Sequence, residues 1–392
     1  MNSRILLLLF FSYCAISFAK TTPTFPFPFP SIIKPDGFSA ASTNTTQLYD
    51  TKYFTQILDH FTFTPQSYQT FQQRYLINYK YWGGAKNMAP IFVYMGGEAD
   101  IESFAQNTGF MFDIAPHFNA LLVFIETEVP TREYVTIGAL ASSAPILYFD
   151  NITSPYAFND IITQDFRSES ENCYKVIKSS WQFIEEIAKQ ADGLEILRKS
   201  FRICNADSLE DWLSTAYFYT AMTDNPTAAN LLNPLPPYPI KQMCKAIDDP
   251  RHGSDILEKL YAAVNIFYNY TGKINCFDPE KPSQLLLRSA VQWRWQSCTE
   301  MIIPTGSSSK DSIFPAWEWD YSEEAKICKN AFNIEPRPNW ITTEFGGHNI
   351  KRVLKRFGSN IILFNGLRDP WSSGGVLENI SKSIVAIVAK EG

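Results

Sequence analysis

The chain has 392 residues and a formal net charge of −6, and it is 45% hydrophobic and 19% charged. That is enough chain for two domains, or for one large domain with an insertion, and enough apolar residue for a sizeable core. No concentrated Lys/Arg run appears, which argues against nucleic acid as a partner, because phosphate binding needs a basic face.

Residues 1–19 read as a secretory signal peptide: Arg4 supplies the positive start, an apolar run follows from Ile5, and Ser17-Phe18-Ala19 offers small residues for cleavage. A membrane anchor is the competing reading, but the run is short and polar chain follows; no later segment is apolar for long enough to span a bilayer. No membrane association is expected once the signal is removed. Residues 20–47 are rich in Pro and Phe around Phe25-Pro-Phe-Pro-Phe-Pro30. Proline bars regular structure there, so the segment reads as a leader without fixed structure, or as an arm packed by its phenylalanines.

From 48 to 151 the pattern is that of an α/β domain, first part. Residues 71–82 alternate as a half-buried antiparallel strand does. Residues 90–95, 120–125 and 135–141 are short runs apolar on both faces, and 107–118 reads as a helix. Such runs mark a parallel sheet covered by helices. Residues 152–287 change character: 173–190 and 254–268 carry helical periodicity, and 231–239 is a Pro-rich connector. This reads as a helical cap inserted into the α/β domain. The second part of the core spans 288–392, with strands at 361–364 and 384–388.

One spacing is awkward. The runs ending at Ile125 and starting at Val135 both look like parallel strands, yet a parallel crossover needs a dozen or more residues and usually a helix. Either the two runs are not parallel neighbours, or a segment is missing between them.

Of seven cysteines, Cys14 leaves with the signal peptide. The remaining six suit three disulfides in a secreted chain, and none has zinc-site spacing, so no metal is expected. Asn44, Asn151, Asn269 and Asn379 open N-glycosylation sequons, and behind a signal peptide they agree with one another.

Asp369 is the sharpest chemical signal. It follows the strand at 361–364 and precedes Pro370-Trp371, with another strand after it, which is the frame of a triad acid in an α/β-hydrolase. No G-x-S-x-G elbow occurs anywhere. Ser142 and Ser143 end a strand but run into Ala144-Pro145, without the glycine a tight elbow needs, and Ser372-Ser373-Gly374-Gly375 reads as a turn. Of the four histidines, His60, His117, His252 and His348, none follows Asp369. His60 reads as structural, His117 and His252 as solvated, and His348 as a loop residue.

Several stretches together resemble the prolyl carboxypeptidase family of serine exopeptidases, of the lysosomal Pro-X carboxypeptidase and dipeptidyl peptidase II types. They are Tyr53-Phe-Thr-Gln-Ile-Leu-Asp-His-Phe61, Phe104-Ala-Gln-Asn-Thr-Gly109, Phe118-Asn-Ala-Leu-Leu-Val-Phe-Ile-Glu126, Gly138-Ala-Leu-Ala-Ser-Ser-Ala-Pro145, Gln296-Ser-Cys-Thr-Glu-Met301 and Asn365-Gly-Leu-Arg-Asp-Pro-Trp371. The resemblance implies an α/β-hydrolase domain with a helical cap, Ser-Asp-His catalysis without a cofactor, and proline-containing peptides as substrates. It implies that Asp369 is the triad acid, that Trp371 belongs to the proline pocket, that Gly96, Gly97 and Glu98 lie on the oxyanion side, and that Met301 belongs to the substrate-binding residues. It also implies the pairs Cys173–Cys244, Cys204–Cys276 and Cys298–Cys328.

The departures from the family are as telling. After Glu126 the family continues through a helical segment to the strand and elbow bearing the serine, whereas this chain passes directly to Val135. The triad histidine is expected just beyond Gly392. The expected reading is therefore a secretory-pathway serine exopeptidase by family, destined for lysosome, vacuole or extracellular space. Its central nucleophile strand is expected to be deleted, and the chain to be inactive as written. The rival reading is a secreted glycoprotein without catalysis that binds peptides or a protein partner through the retained cap and cleft.

Overall fold

The computed structural model describes residues 48–57, 68–97, 100–126, 138–149, 151–204, 209–230, 232–278, 284–308 and 310–391. The signal peptide and leader, Asn44, His60, Glu98 and the 127–134 junction all lie outside the described residues.

Among the described residues the strands form two sheets rather than one. The first takes β1 (Asp50–Ile57), β2 (Thr70–Asn78), β3 (Ile91–Met95) and β4 (Leu121–Ile125) in the order β1-β2-β4-β3. β1 and β2 are antiparallel, as are β2 and β4, and β3 runs parallel to β4. The crossover between β3 and β4 carries α1 (Ile101–Asn107) and α2 (Gly109–Phe118), the connection a parallel pair requires. Ile101, Ala105, Met111 and Ala115 of these helices pack on Leu76, Leu122 and Phe124, with Phe92 and Tyr94 at the margin. The second sheet is β5 (Ala139–Ser142), β6 (Ile361–Gly366) and β7 (Ile384–Ala389), all parallel, with β6 central.

The awkward junction resolves into this split. β4 and β5 sit in different sheets, so the short link between them is no parallel crossover. Among the described residues β3 and β5 each pair on one side only. The expected α/β architecture with parallel strands and helices is present, but its sheet is divided.

Between the sheets in sequence lies a helical region: α3 (Ala157–Glu169), α4 (Glu171–Ala188), α5 (Gly193–Ser200), α6 (Leu209–Met222), α7 (Pro239–Ile247) and α8 (Ile256–Asn269). It is followed by α9 (Gln284–Thr299), α10 (Tyr321–Phe332), α11 (Trp340–Glu344) and α12 (Ile350–Phe357). Ser170 caps α4 by accepting from Cys173 N at 3.1 Å, and Asp255 caps α8 by accepting from Glu258 N at 3.1 Å, which satisfies N–H groups the first turn leaves free. The core here is aromatic: Trp212 stacks on Tyr268 with ring centroids 4.5 Å apart, and Phe158 on Phe218 at 4.9 Å. Cys173–Cys244 joins α4 to α7, Cys298–Cys328 joins α9 to α10, and Cys204–Cys276 ties the strandlike segments around Ile203 and Phe277. The three expected pairs are thus the three found.

Candidate functional site

β6 delivers Asp369. Its residues Ile361-Ile-Leu-Phe are β-formers, and pairing on both sides consumes the strand's hydrogen-bonding groups. The strand ends at Gly366, and Asp369 opens a 3₁₀ turn over Pro370–Gly374, where Pro370 fits the first position because no N–H is needed there. Asp369 Oδ1 accepts from Trp371 N at 3.0 Å, and its own N–H donates to Gly366 O at 3.1 Å. The carboxylate therefore has a fixed orientation.

β5 supplies the second partner. Ser143 N donates to Phe364 O at 3.1 Å, which sets Ser143 beside the end of β6. There the serine takes a left-handed backbone, φ 54°, and its Oγ donates to Asp369 Oδ2. Burial pushes the Asp369 carboxyl above its ordinary value, while the Ser143 hydroxyl and the Trp371 amide pull the other way. The two loops are clamped further on. Leu147 N donates to Gly374 O at 2.7 Å, and a Cβ at Gly374 would stand 2.8 Å from Tyr148 N, so only glycine permits this approach.

Trp371 projects into an aromatic group. Its ring meets Phe158 at 4.6 Å, Trp293 at 5.8 Å and Tyr148 at 6.2 Å, all edge to face. Tyr148 and Phe158 are buried, whereas Trp371 and Trp293 keep part of their surface free. The four rings thus form an aromatic floor that is partly open to solvent.

Arg368 points the other way, toward the helical region. Its guanidinium lies 3.1 Å from Glu169, 3.1 Å from Asp224 and 3.8 Å from Asp165. Asp165 is almost wholly buried, and its Oδ2 has no hydrogen-bond partner. Burial drives its carboxyl up to about 8; Arg368 opposes this, and Asp224, Asp369 and Glu169 reinforce it. Burial also raises Asp224, against the Ile240 N–H and Arg368. One cation thus ties the loop bearing Asp369 to α3 and to the turn after α6.

The other expected residues scatter. Gly96 extends the ladder of the first sheet, its N–H donating to Ile125 O at 2.8 Å, and Gly97 lies against the Phe104 ring. Arg74 on β2 holds the same end of that sheet, paired with Glu126 at 2.7 Å, Asp100 at 2.9 Å and Glu102 at 3.2 Å. Met301 is half-buried just after α9. Asn151 and Asn379 are exposed, and Asn269 is half-buried at the end of α8, with its amide bonded to the Ile274 main chain.

The histidines stay apart from the acid. His117 and His348 are exposed, while His252 is half-buried with Nδ1 3.2 Å from Glu258, which corrects its reading as a solvated residue. Among the described residues no histidine is hydrogen-bonded to Asp369. Ser143, set aside in the sequence for want of an elbow glycine, is the partner of Asp369, and Arg368 has no role assigned from sequence. A hint was present in the second case, since Arg368 adjoins Asp369, but its partners lie 144 to 203 positions away. Among the described residues no group of His, Cys, Asp and Glu could hold a metal ion, and no helix is long and apolar enough to cross a membrane.

The serine carboxypeptidase S28 family pattern matches residues 56–128 and 133–392. Lysosomal Pro-X carboxypeptidase of Homo sapiens is 32% identical over 428 aligned residues, covering 89% of this chain and 84% of the relative. The Mus musculus protein of the same name is 30% identical over 467 aligned residues, covering 100% of this chain and 92% of the relative. Prolyl carboxy peptidase like protein 5 of Caenorhabditis elegans is 25% identical over 430 residues, covering 88% of this chain and 84% of the relative. The mouse alignment uses 467 positions to place 392 residues, so the relative carries positions without a counterpart here. With the family pattern spanning both sheets and the helices between them, this chain belongs to the serine carboxypeptidase S28 family of peptidases.

Proposed function

We propose that this chain derives from a secretory-pathway, Pro-X carboxypeptidase-like peptidase of its family, whose substrates are proline-containing peptides, and that the chain as given is itself catalytically inactive. The observation that carries the reading is the state of Asp369. Both its oxygens are engaged, one by the Ser143 hydroxyl and one by the Trp371 amide, and among the described residues no imidazole is bonded to it. A triad acid works by orienting a histidine and stabilising its cation, and a serine without that base has nothing to take its proton. Ser143 cannot serve in its place, because its hydroxyl proton is directed at the carboxylate itself.

In this reading Asp369 is the remaining member of a triad, and Trp371 with Trp293 forms the proline-binding floor. Gly96, Gly97 and Glu98 lie on the oxyanion side, and Met301 contributes to the substrate cleft. The α/β core would be interrupted by a cap over 152–287, with glycans at Asn44, Asn151, Asn269 and Asn379. The names of the human and mouse relatives support a lysosomal or equivalent acidic destination. The family match breaks at 129–132, in the link between β4 and β5, and this supports a lost segment bearing the nucleophile strand. A shortened splice form or an incomplete reading of the gene accounts for such a loss.

The aromatic floor around Trp371 favours a second use of the same protein, as a secreted glycoprotein that binds peptides without catalysis. Purified protein tests both readings. It is expected neither to react with a fluorophosphonate probe nor to release the terminal residue of a Pro-X peptide, and labelling or release would overturn the inactive reading. Retained binding of that peptide would favour the binding protein. Transcripts spanning residues 126–134 and continuing past Gly392 with an elbow serine and a late histidine would favour the shortened form.

A further inference from the structure

The two edges left by the divided sheet carry their own chemistry. Leu121 N donates to Pro90 O at 3.0 Å and Gly96 N to Ile125 O at 2.8 Å. Bonding alternates along a strand, so Phe92 and Tyr94 turn their main chain toward β4, while Ile91, Val93 and Met95 turn theirs to the open side. On β5, Ala139 N donates to Asn360 O at 2.9 Å and Ser143 N to Phe364 O at 3.1 Å. The same alternation turns the main chain of Leu140 and Ser142 outward.

The side chains add to this. Ile91, Val93 and Met95 are exposed on one face of the first sheet, and Leu140, Ile362, Phe364 and Ile387 are exposed in the second. Parallel strands are normally covered on both faces, because crossover helices lie on each side. Open edges of this kind are templates for another strand.

We propose that these edges are a docking surface for one strand and its following helix, supplied in trans by a longer chain of the same family. The inference rests on the reading above that a central segment is absent. Three observations select this occupant. The family match is interrupted at residues 129–132, in the connection leading from β4 to β5. The mouse relative aligns over 467 positions against 392 residues here, so it has chain to spare. Both edges belong to parallel pairs, β3 with β4 and β5 with β6, so a strand in the same sense extends either. The strand satisfies the outward main-chain groups, and an apolar helix face covers the exposed side chains.

The test mixes the full chain with a synthetic peptide covering the longest run of mouse positions that has no counterpart in this chain. Binding and hydrogen exchange are followed together. The expected result is saturable one-to-one binding, with new amide protection at 91–95 or 139–142. A peptide N-methylated at alternate strand residues should lose that binding without any change to the protein. Val93→Pro, which removes an outward N–H, should weaken it by about tenfold or more. If the chain folds only when the peptide is present, the proposal also stands, provided the same amides become protected. It is overturned by absence of binding, by binding with neither edge protected, by equal binding of the N-methylated peptide, or by protection from self-association instead. Reaction of the chain alone with a fluorophosphonate is a separate outcome: it removes the inactive reading, and the peptide measurements still decide this one.

Discussion

The Ser143 hydroxyl and the Asp369 carboxylate meet across the ends of β5 and β6, and each holds the other in place. The left-handed backbone at Ser143 is what aims the hydroxyl. Ser143→Ala should cost about 0.5–1.5 kcal/mol, the net range for a hydrogen bond between an exposed hydroxyl and a half-buried carboxylate. It should also raise the Asp369 pKa further, since one of its two stabilising donors goes. Ser143→Gly loses the same bond but removes the steric cost of a left-handed residue, about 1 kcal/mol, and should be the milder change. Urea denaturation of the two variants checks the order.

Asp165 makes stability depend on pH. Its folded-state value of about 8 lies above that of an unfolded aspartate, so the folded chain holds the proton more tightly. The stabilising effect is complete below the unfolded value, roughly pH 4, and declines as pH rises from there toward 8. Asp165→Asn has no proton to lose. Its melting temperature should exceed that of the parent at pH 8.5, and the gap should narrow toward pH 5. A gap that widens on acidification would contradict the burial assigned to this group.

Trp371→Ala removes the ring that joins Phe158, Trp293 and Tyr148. Trp371 is only half-buried, so the cost should fall at the lower end of the range for large aromatic truncation, about 3 kcal/mol. Calorimetric titration with a Pro-X peptide should show binding lost in Trp371→Ala and partly kept in Trp371→Phe. Loss of stability with binding intact would detach the ring from peptide recognition.

The Cys173–Cys244 bridge closes a loop of sequence separation 71. By chain entropy alone its removal should cost about 4 kcal/mol. Cys173→Ala with Cys244→Ala should therefore lower the denaturant midpoint strongly. The main loss of structure should be in α4 and α7, read by hydrogen exchange.

What could be read from the residues depended on how local the cause was. The strand ending before Asp369 was legible because Ile361-Ile-Leu-Phe364 is a run apolar on both faces, and the helices α4 and α8 because their apolar residues recur at helical spacing. Ser143 was not legible as a partner of Asp369. Its role comes from a backbone angle and from the β5–β6 register, neither of which leaves a mark in Ala-Ser-Ser-Ala-Pro. The Arg368 group was hidden for a related reason: Asp165, Glu169 and Asp224 reach it only after α3 and α6 have packed. The short link after Ile125 was visible as a conflict of spacing, but only the assembled strands show that the conflict becomes two sheets.

A continuous sheet melts as one body, because losing any strand deprives its neighbours of their bonding partners. Among the described residues the two ladders of this chain share no rung, so that source of cooperativity is interrupted between residues 126 and 138. The heat of unfolding measured by calorimetry should then exceed the value inferred from the sharpness of the transition, and the half bearing Asp369 can open while the half bearing Arg74 stays closed.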